Sequence, residues 1–172
     1  DLYMDPQVDK PWGGDVACCG IDNRGVALWQ DKVISVTIDG RMIATSKASC
    51  EIVWQAKPGD PGRGETLTVA PQVVRNTAIV GVAGAEYGIR GHLNGVDLTT
   101  GKEAWKVNRP SEGTDENPHS YASPVLWQDG GKAYLVTHGN DHAVAHDLKD
   151  GHEIWRSPYS SSHTVGRSCW KS

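Results

Sequence analysis

The 172-residue sequence predicts an all-β chain, a partial β-propeller of about three antiparallel blades with three to four strands each. Three observations predict it. A frame, D-x-x-x-G-x-x-x-W, recurs at about 50-residue spacing and ends at Trp54, Trp105 and Trp155. Short strand-like runs fill each interval, with turn clusters between them. The composition agrees: 20 Gly, 9 Pro and 7 Trp with no Phe suit tight turns and short strands better than a helical bundle.

The frame is clearest at Asp97-Leu98-Thr99-Thr100-Gly101-Lys102-Glu103-Ala104-Trp105 and Asp147-Leu148-Lys149-Asp150-Gly151-His152-Glu153-Ile154-Trp155. Its mechanics are local. The Asp side chain accepts backbone N–H groups of the turn that follows. The Gly takes a left-handed φ in a hairpin with a bulge. The Trp, four residues on, lies on the next strand and fills the gap between neighbouring sheets. The first copy is degenerate, with Ser46 for the Asp and Cys50 for the Gly. A left-handed Cys costs roughly 1 kcal/mol relative to Gly, so a differently shaped turn is expected there.

Upstream of each frame lie the remaining strands. In the first repeat they are 26–29, 32–38 and 41–45; in the second, 72–74, 78–82 and 92–97; in the third, 123–127, 133–137 and 142–147. Gln30-Asp31, Asp39-Gly40, Arg75-Asn76, Asp129-Gly130-Gly131 and Gly139-Asn140-Asp141 are the turn clusters. The segments 57–64 and 108–118 are polar connectors, and 6–15 is a further loop. The expected organisation is a single domain over 1–172, with blades at about 16–56, 66–107 and 119–157 and loop-like termini. Propellers usually carry about 4–8 blades, so three imply a fragment, a homo-oligomer that closes the ring, or an abbreviated stack of sheets.

The charge excludes some classes. Seventeen Lys and Arg stand against 21 Asp and Glu, a net charge of −4, too acidic on balance to grip nucleic acid or an anionic membrane by bulk charge. No run of about 18 apolar residues is present, so no transmembrane helix is expected. The chain opens on a polar Asp1 without a signal-peptide pattern, as a processed secreted protein or an internal fragment would. Its four cysteines fit no zinc ribbon or C-x-x-C motif. Cys18 and Cys19 are adjacent. Cys50 and Cys169 either pair or stay free, and the spacing leaves this open.

The run Pro11-Trp12-Gly13-Gly14-Asp15-Val16-Ala17-Cys18-Cys19-Gly20-Ile21-Asp22-Asn23-Arg24-Gly25-Val26-Ala27-Leu28-Trp29 closely resembles the alcohol dehydrogenases that depend on pyrroloquinoline quinone (PQQ), the quinoprotein methanol and ethanol dehydrogenases. Thr68-Val69-Ala70-Pro71 and Gly81-Val82-Ala83-Gly84-Ala85-Glu86-Tyr87-Gly88-Ile89-Arg90-Gly91 agree independently. The resemblance covers about the first two-thirds of the chain. The last third, through Asn117 to Trp127 and Thr137 to Asp141, resembles the broader PQQ-like propeller repeat proteins, which are mostly non-catalytic scaffolds.

The resemblance implies oxidation of a primary alcohol through PQQ and Ca²⁺, a redox acceptor as partner, and a periplasmic or secreted location. It implies that Cys18 and Cys19 form a vicinal disulfide against one face of the quinone. Arg24 would pair with a PQQ carboxylate, a use that suits a planar bidentate cation. Thr68 would donate a hydrogen bond to the cofactor, and Ala83, Gly84 and Ala85 would bring backbone close to its edge. Glu86 would ligate Ca²⁺, a hard cation that prefers oxygen. The sequence departs from that family at Gly20, where an Asp is usual. It shows no matching Trp for the other quinone face, no Asn ligand for Ca²⁺ and no Asp base. It therefore supplies cofactor-side residues without a catalytic residue. The alternative is a non-catalytic propeller-repeat scaffold or binding protein.

Other residues have plainer readings. His142 and His146 share one strand face at period two, which suits a polar face better than a Zn²⁺ or Cu²⁺ site. Arg90 reads as a buried structural arginine, and for Arg24 that reading competes with cofactor binding. Trp54, Trp105 and Trp155 read as core residues wedged between blades.

Overall fold

In the computed structural model, residues 22–84, 88–109, 123–139 and 141–158 are described. Twelve strands form three four-stranded antiparallel sheets, each a meander in chain order, and no α-helix occurs among the described residues. The chain divides into two compact units, Asp1–Arg109 and Pro110–Ser172.

The first unit carries two sheets. One joins β1 (Ala27–Trp29), β2 (Lys32–Val36), β3 (Met42–Ser46) and β4 (Ile52–Ala56). The other joins β5 (Gln72–Val74), β6 (Thr77–Gly81), β7 (His92–Asp97) and β8 (Glu103–Asn108). A single 3₁₀ turn, Pro61–Arg63, interrupts the connector between them. The second unit holds β9 (Val125–Asp129), β10 (Lys132–His138), β11 (His142–His146) and β12 (Glu153–Pro158). The blades predicted from the repeat are thus present, each with four strands.

The frame builds the same corner three times. The N–H of Gly101 donates to the Asp97 carbonyl at 2.8 Å, that of Gly151 to Asp147 at 2.9 Å and that of Cys50 to Ser46 at 3.0 Å. A register shift follows at the same place in each sheet, at Ala44/Thr45, Gly95/Val96 and Ala145/His146. Cys50 corrects the expectation of a different turn. Its φ of 62° matches 71° at Gly101 and 74° at Gly151. The strand pair and its bulge dictate the turn, and the residue bears the strain. Ser46 substitutes for the Asp, its Oγ accepting from the N–H groups of Ala48 and Ser49. Cys50 is exposed and its thiol is free.

Between the two sheets of the first unit lies one core. Ile34, Val36, Met42 and Ala44 meet Ala78, Val80, Val96 and Leu98, with Trp54 and Leu67 completing it. Burying each large aliphatic side chain contributes about 1.5–3 kcal/mol. Trp54 spans the gap as the frame predicts, its Nε1–H donating to the Leu98 carbonyl at 3.0 Å.

In the second unit Leu135, Val144 and Ala145 are buried. Trp155 corrects the prediction of a wedged core residue: it is 36% exposed, against 9% for Trp54 and 7% for Trp105. It stands edge-on to Trp127, which stacks on Tyr134. Val125 shares the sheet face of these rings through the pairing Val125–Val136–Ala145–Trp155, and Val125, Trp127 and Trp155 leave an apolar strip there exposed.

Candidate functional site

The residues ahead of β1 form the first wall of the site. Asn23 organises them. Its Oδ1 accepts from the Gly25 N–H at 2.8 Å, an Asx-type turn, and its Nδ2 donates to the Val36 carbonyl at 2.8 Å. This fastens the 22–25 turn to the end of β2. Arg24 then reaches the connector ahead of β5. Its backbone N–H donates to the Thr68 carbonyl at 3.0 Å, and its Nη1 donates to Thr68 Oγ1 at 2.6 Å.

Arg24 and Thr68 are 44 residues apart in sequence and form a single unit in space. Arg24 is exposed, so the competing reading of a buried structural arginine does not hold. No carboxylate among the described residues pairs with it. Nη1 is used on Thr68, on its hydroxyl and, at 3.4 Å, on its carbonyl, and the other nitrogens of the fork carry donors of the kind that bind an anion. Thr68 Oγ1 accepts from Arg24, which leaves its own proton to donate. A cation and a hydroxyl donor side by side fit a planar ligand edged with carboxylates and carbonyl oxygens.

The second wall is the segment after β6. Thr66 and Ala83 exchange both backbone hydrogen bonds, at 2.9 and 3.1 Å, so an antiparallel bridge ties the segment leading to Thr68 to the chain at Ala83. Gly84 is buried with φ +128°, and a Cβ there would stand 2.7 Å from the Gly64 carbonyl oxygen. Only glycine fits this approach of two backbones. Cys18, Cys19, Ala85 and Glu86 lie outside the described residues, as does Cys169.

Sequence reasoning missed Asn23 as an organiser; the signal was available in the Asp22-Asn23-Arg24-Gly25 turn composition. Arg90, read as buried, is exposed, sparing its guanidinium the desolvation cost of an interior position. His146 is a buried core histidine rather than part of a polar face. Its Nδ1–H points at the Gly151 carbonyl and its Nε2 meets the Thr137 hydroxyl, so both nitrogens are engaged. A ligating cluster the sequence reading did not single out lies in the exposed turn beyond β11. There the ligating atoms of Asp147, Asp150 and His152 fall within 4.8 Å of one another. The hydrogen bond that His152 donates to the Asp150 carboxylate raises the pKa of His152.

Four-stranded meanders, each with the same corner between its third and fourth strands, mark the chain as a propeller-repeat protein. A family model described as Outer membrane protein assembly factor BamB (PQQ_2) matches residues 12–170, and the chain belongs to that family. Over its first part it is similar to quinohemoprotein alcohol dehydrogenase ADH IIB of Pseudomonas putida, 44% identical over 102 residues, which are 59% of this chain and 15% of that relative. It is also similar to methanol dehydrogenase [cytochrome c] subunit 1 of Methylorubrum extorquens, 36% identical over 112 residues, 62% of this chain and 18% of that relative. The chain thus spans less than a fifth of the length of these curated relatives. Among solved structures, a europium-containing methanol dehydrogenase superposes with a TM-score of 0.72 at 23% identity, covering 92% of this chain and 36% of that one; this likeness speaks for the fold.

Proposed function

We propose that this chain carries the cofactor-side portion of a PQQ-dependent alcohol dehydrogenase. The observation that supports it most directly is the exposed Arg24 guanidinium, fixed by Thr68 and left without a carboxylate partner among the described residues. Arg24 binds a carboxylate of the cofactor and Thr68 donates a hydrogen bond to it. Ala83, Gly84 and Ala85 admit its edge, and the Cys18–Cys19 pair, as a disulfide, covers one face. Glu86 contributes one oxygen to a hard cation, Ca²⁺ or a lanthanide; the name of a relative 41% identical over 101 residues, the lanthanide-dependent methanol dehydrogenase of Methylacidiphilum fumariolicum, supports widening the choice of ion. When bound, the quinone supplies a two-electron acceptor for a primary alcohol.

An Asp base and the remaining metal ligands come from outside this chain in this reading, through a longer polypeptide or an oligomer. A cytochrome c serves as electron acceptor, by analogy with the name of the Methylorubrum relative, and the location is periplasmic. The apolar strip around Trp127 and Trp155 favours a second reading, a scaffold that binds a protein partner through this sheet.

The test is a titration of the oxidised full chain with PQQ, with and without Ca²⁺ or La³⁺, followed by tryptophan quenching. Saturable, metal-dependent quenching is expected, weakened about tenfold or more in Arg24→Lys and Thr68→Val, each of which removes a charged or directional hydrogen bond. Absence of saturable quenching with either ion would reject this reading in favour of the scaffold.

A further inference from the structure

Beneath the Arg24–Thr68 unit lies a buried polar network that the proposed function does not use. Glu65, His92 and Asn94 are 1%, 5% and 0% exposed. Period two along β7 puts His92 and Asn94 on the same face as Val96, which belongs to the core between the two sheets. Glu65 comes to them from the connector. Its Oε2 accepts from the Asp60 N–H at 2.8 Å and lies 3.2 Å from His92 Nε2. On the far side of the ring, Asn94 Nδ2 lies 2.9 Å from His92 Nδ1.

These contacts assign the protons. With the amide placed so that Nδ2 donates to Nδ1, the ring proton sits on Nε2 and points at Glu65. The imidazole is then neutral, as its burial favours: desolvation lowers the pKa of His92 against the opposing hydrogen bond from Glu65. Burying a carboxylate is expensive, and a well-packed apolar side chain fills such a space at least as well. The carboxylate adds direction. It ties the connector, from its Asp60 turn onward, to the strand β7. One residue later Thr66 bonds to Ala83, and three later Thr68 receives Arg24.

We propose that Glu65 is a positioning residue: braced by His92 and Asn94, it pins the 65–68 segment against Ala83–Gly84 and so sets where Arg24 and Thr68 present themselves to the cofactor. The inference rests on the PQQ reading for what is positioned, and on this chain's own contacts for how.

The test uses the full chain with Glu65→Gln, His92→Phe and His92→Gln. Amide exchange is read at the Thr66 and Ala83 N–H groups and at the Trp54 indole N–H, and PQQ affinity is measured alongside. For Glu65→Gln and His92→Phe, exchange at Thr66 and Ala83 should quicken about tenfold or more, with the Trp54 indole unchanged and the PQQ Kd raised about tenfold. His92→Gln, which keeps a donor toward Glu65, should retain most of both. A merely structural role would quicken all three sites together and leave the Kd of the folded protein alone; that result, or unchanged exchange at Thr66 and Ala83, would overturn the proposal. Wild-type protein that binds no PQQ would instead sink the functional reading, and the exchange rates alone would then decide whether Glu65 pins the segment.

Discussion

The Trp54 ring lies flat against Gly101, so close that a Cβ added there would sit 2.7 Å from its Cδ2. The glycine of the second repeat is therefore the seat for the tryptophan of the first, and the Leu98 carbonyl locks the indole in place. One residue serves two demands: a left-handed φ of 71° for its own hairpin and an open seat for its neighbour. Gly101→Ala offends both. It should cost roughly 2–4 kcal/mol, adding overpacking to backbone strain, measured as a lower urea midpoint with unchanged m-value.

The equivalent position in the first repeat tests the backbone half of that argument alone. Cys50 takes φ 62° while exposed. Cys50→Gly should stabilise the protein by about 0.5–1 kcal/mol, the released strain being partly offset by a freer unfolded chain. A loss of stability in equilibrium urea unfolding would show that the thiol makes a contact worth more than the strain.

These two positions also mark how far the sequence could be read. The Asp–Gly–Trp corner was legible because its chemistry is local: a side-chain acceptor, a left-handed residue and an aromatic at fixed offsets. The shape of the Cys50 turn was not, because paired strands and a bulge imposed a conformation against the residue's own preference. Trp155 shares its motif with Trp54, but burial depends on what stands opposite, which no motif encodes. Arg24 and Thr68 were each named from the sequence as candidate cofactor contacts, whereas their direct bond spans 44 residues and leaves no periodic trace. The brace was the least visible. Glu65 sits in a connector, and only the polar pair His92 and Asn94, two apart on the buried face of β7, hinted at it.

His92 gives the first unit a pH dependence with a definite sign. Burial lowers its pKa below the unfolded value of 6.5, and the Glu65 hydrogen bond only partly restores it. Lys106 and Arg63 repel the extra proton, while Glu65 attracts it. Between the depressed folded value and about 6.5 the unfolded chain binds more protons, so stability rises with pH there. The contribution is present in full above about 6.5 and is lost as pH falls through the folded value. Urea midpoints measured across this range should fall on acidification, and His92→Gln should flatten that part of the profile; a parallel profile in the variant would refute the assignment.

Asp97 supplies a second limb at lower pH. Its Oδ1 accepts from the Thr99 N–H at 3.1 Å, the Thr100 N–H at 2.7 Å and the Thr100 hydroxyl at 2.8 Å, while Oδ2 accepts from Asn76 Nδ2 at 2.7 Å. The Thr100 hydroxyl first, then the Thr100 and Thr99 amides and Asn76, hold its carboxyl below the usual range against an opposing desolvation. The folded value is depressed, so its stabilisation is present above about 3.8 and is lost as pH falls through the folded value. Asp97→Ala should cost about 1.5–3 kcal/mol at neutral pH, the range for hydrogen bonds to a charged group. The seat for Trp54 adjoins this turn, so the variant should also speed exchange of the Trp54 indole N–H. Asp97→Ser, which copies the natural Ser46 turn, should recover part of the loss. Its Oγ would bond as Ser46 Oγ does, to two amides at 3.3 and 3.2 Å. Equal stability of Asp97→Ala and the wild type in urea would mean that the bulge alone maintains the corner.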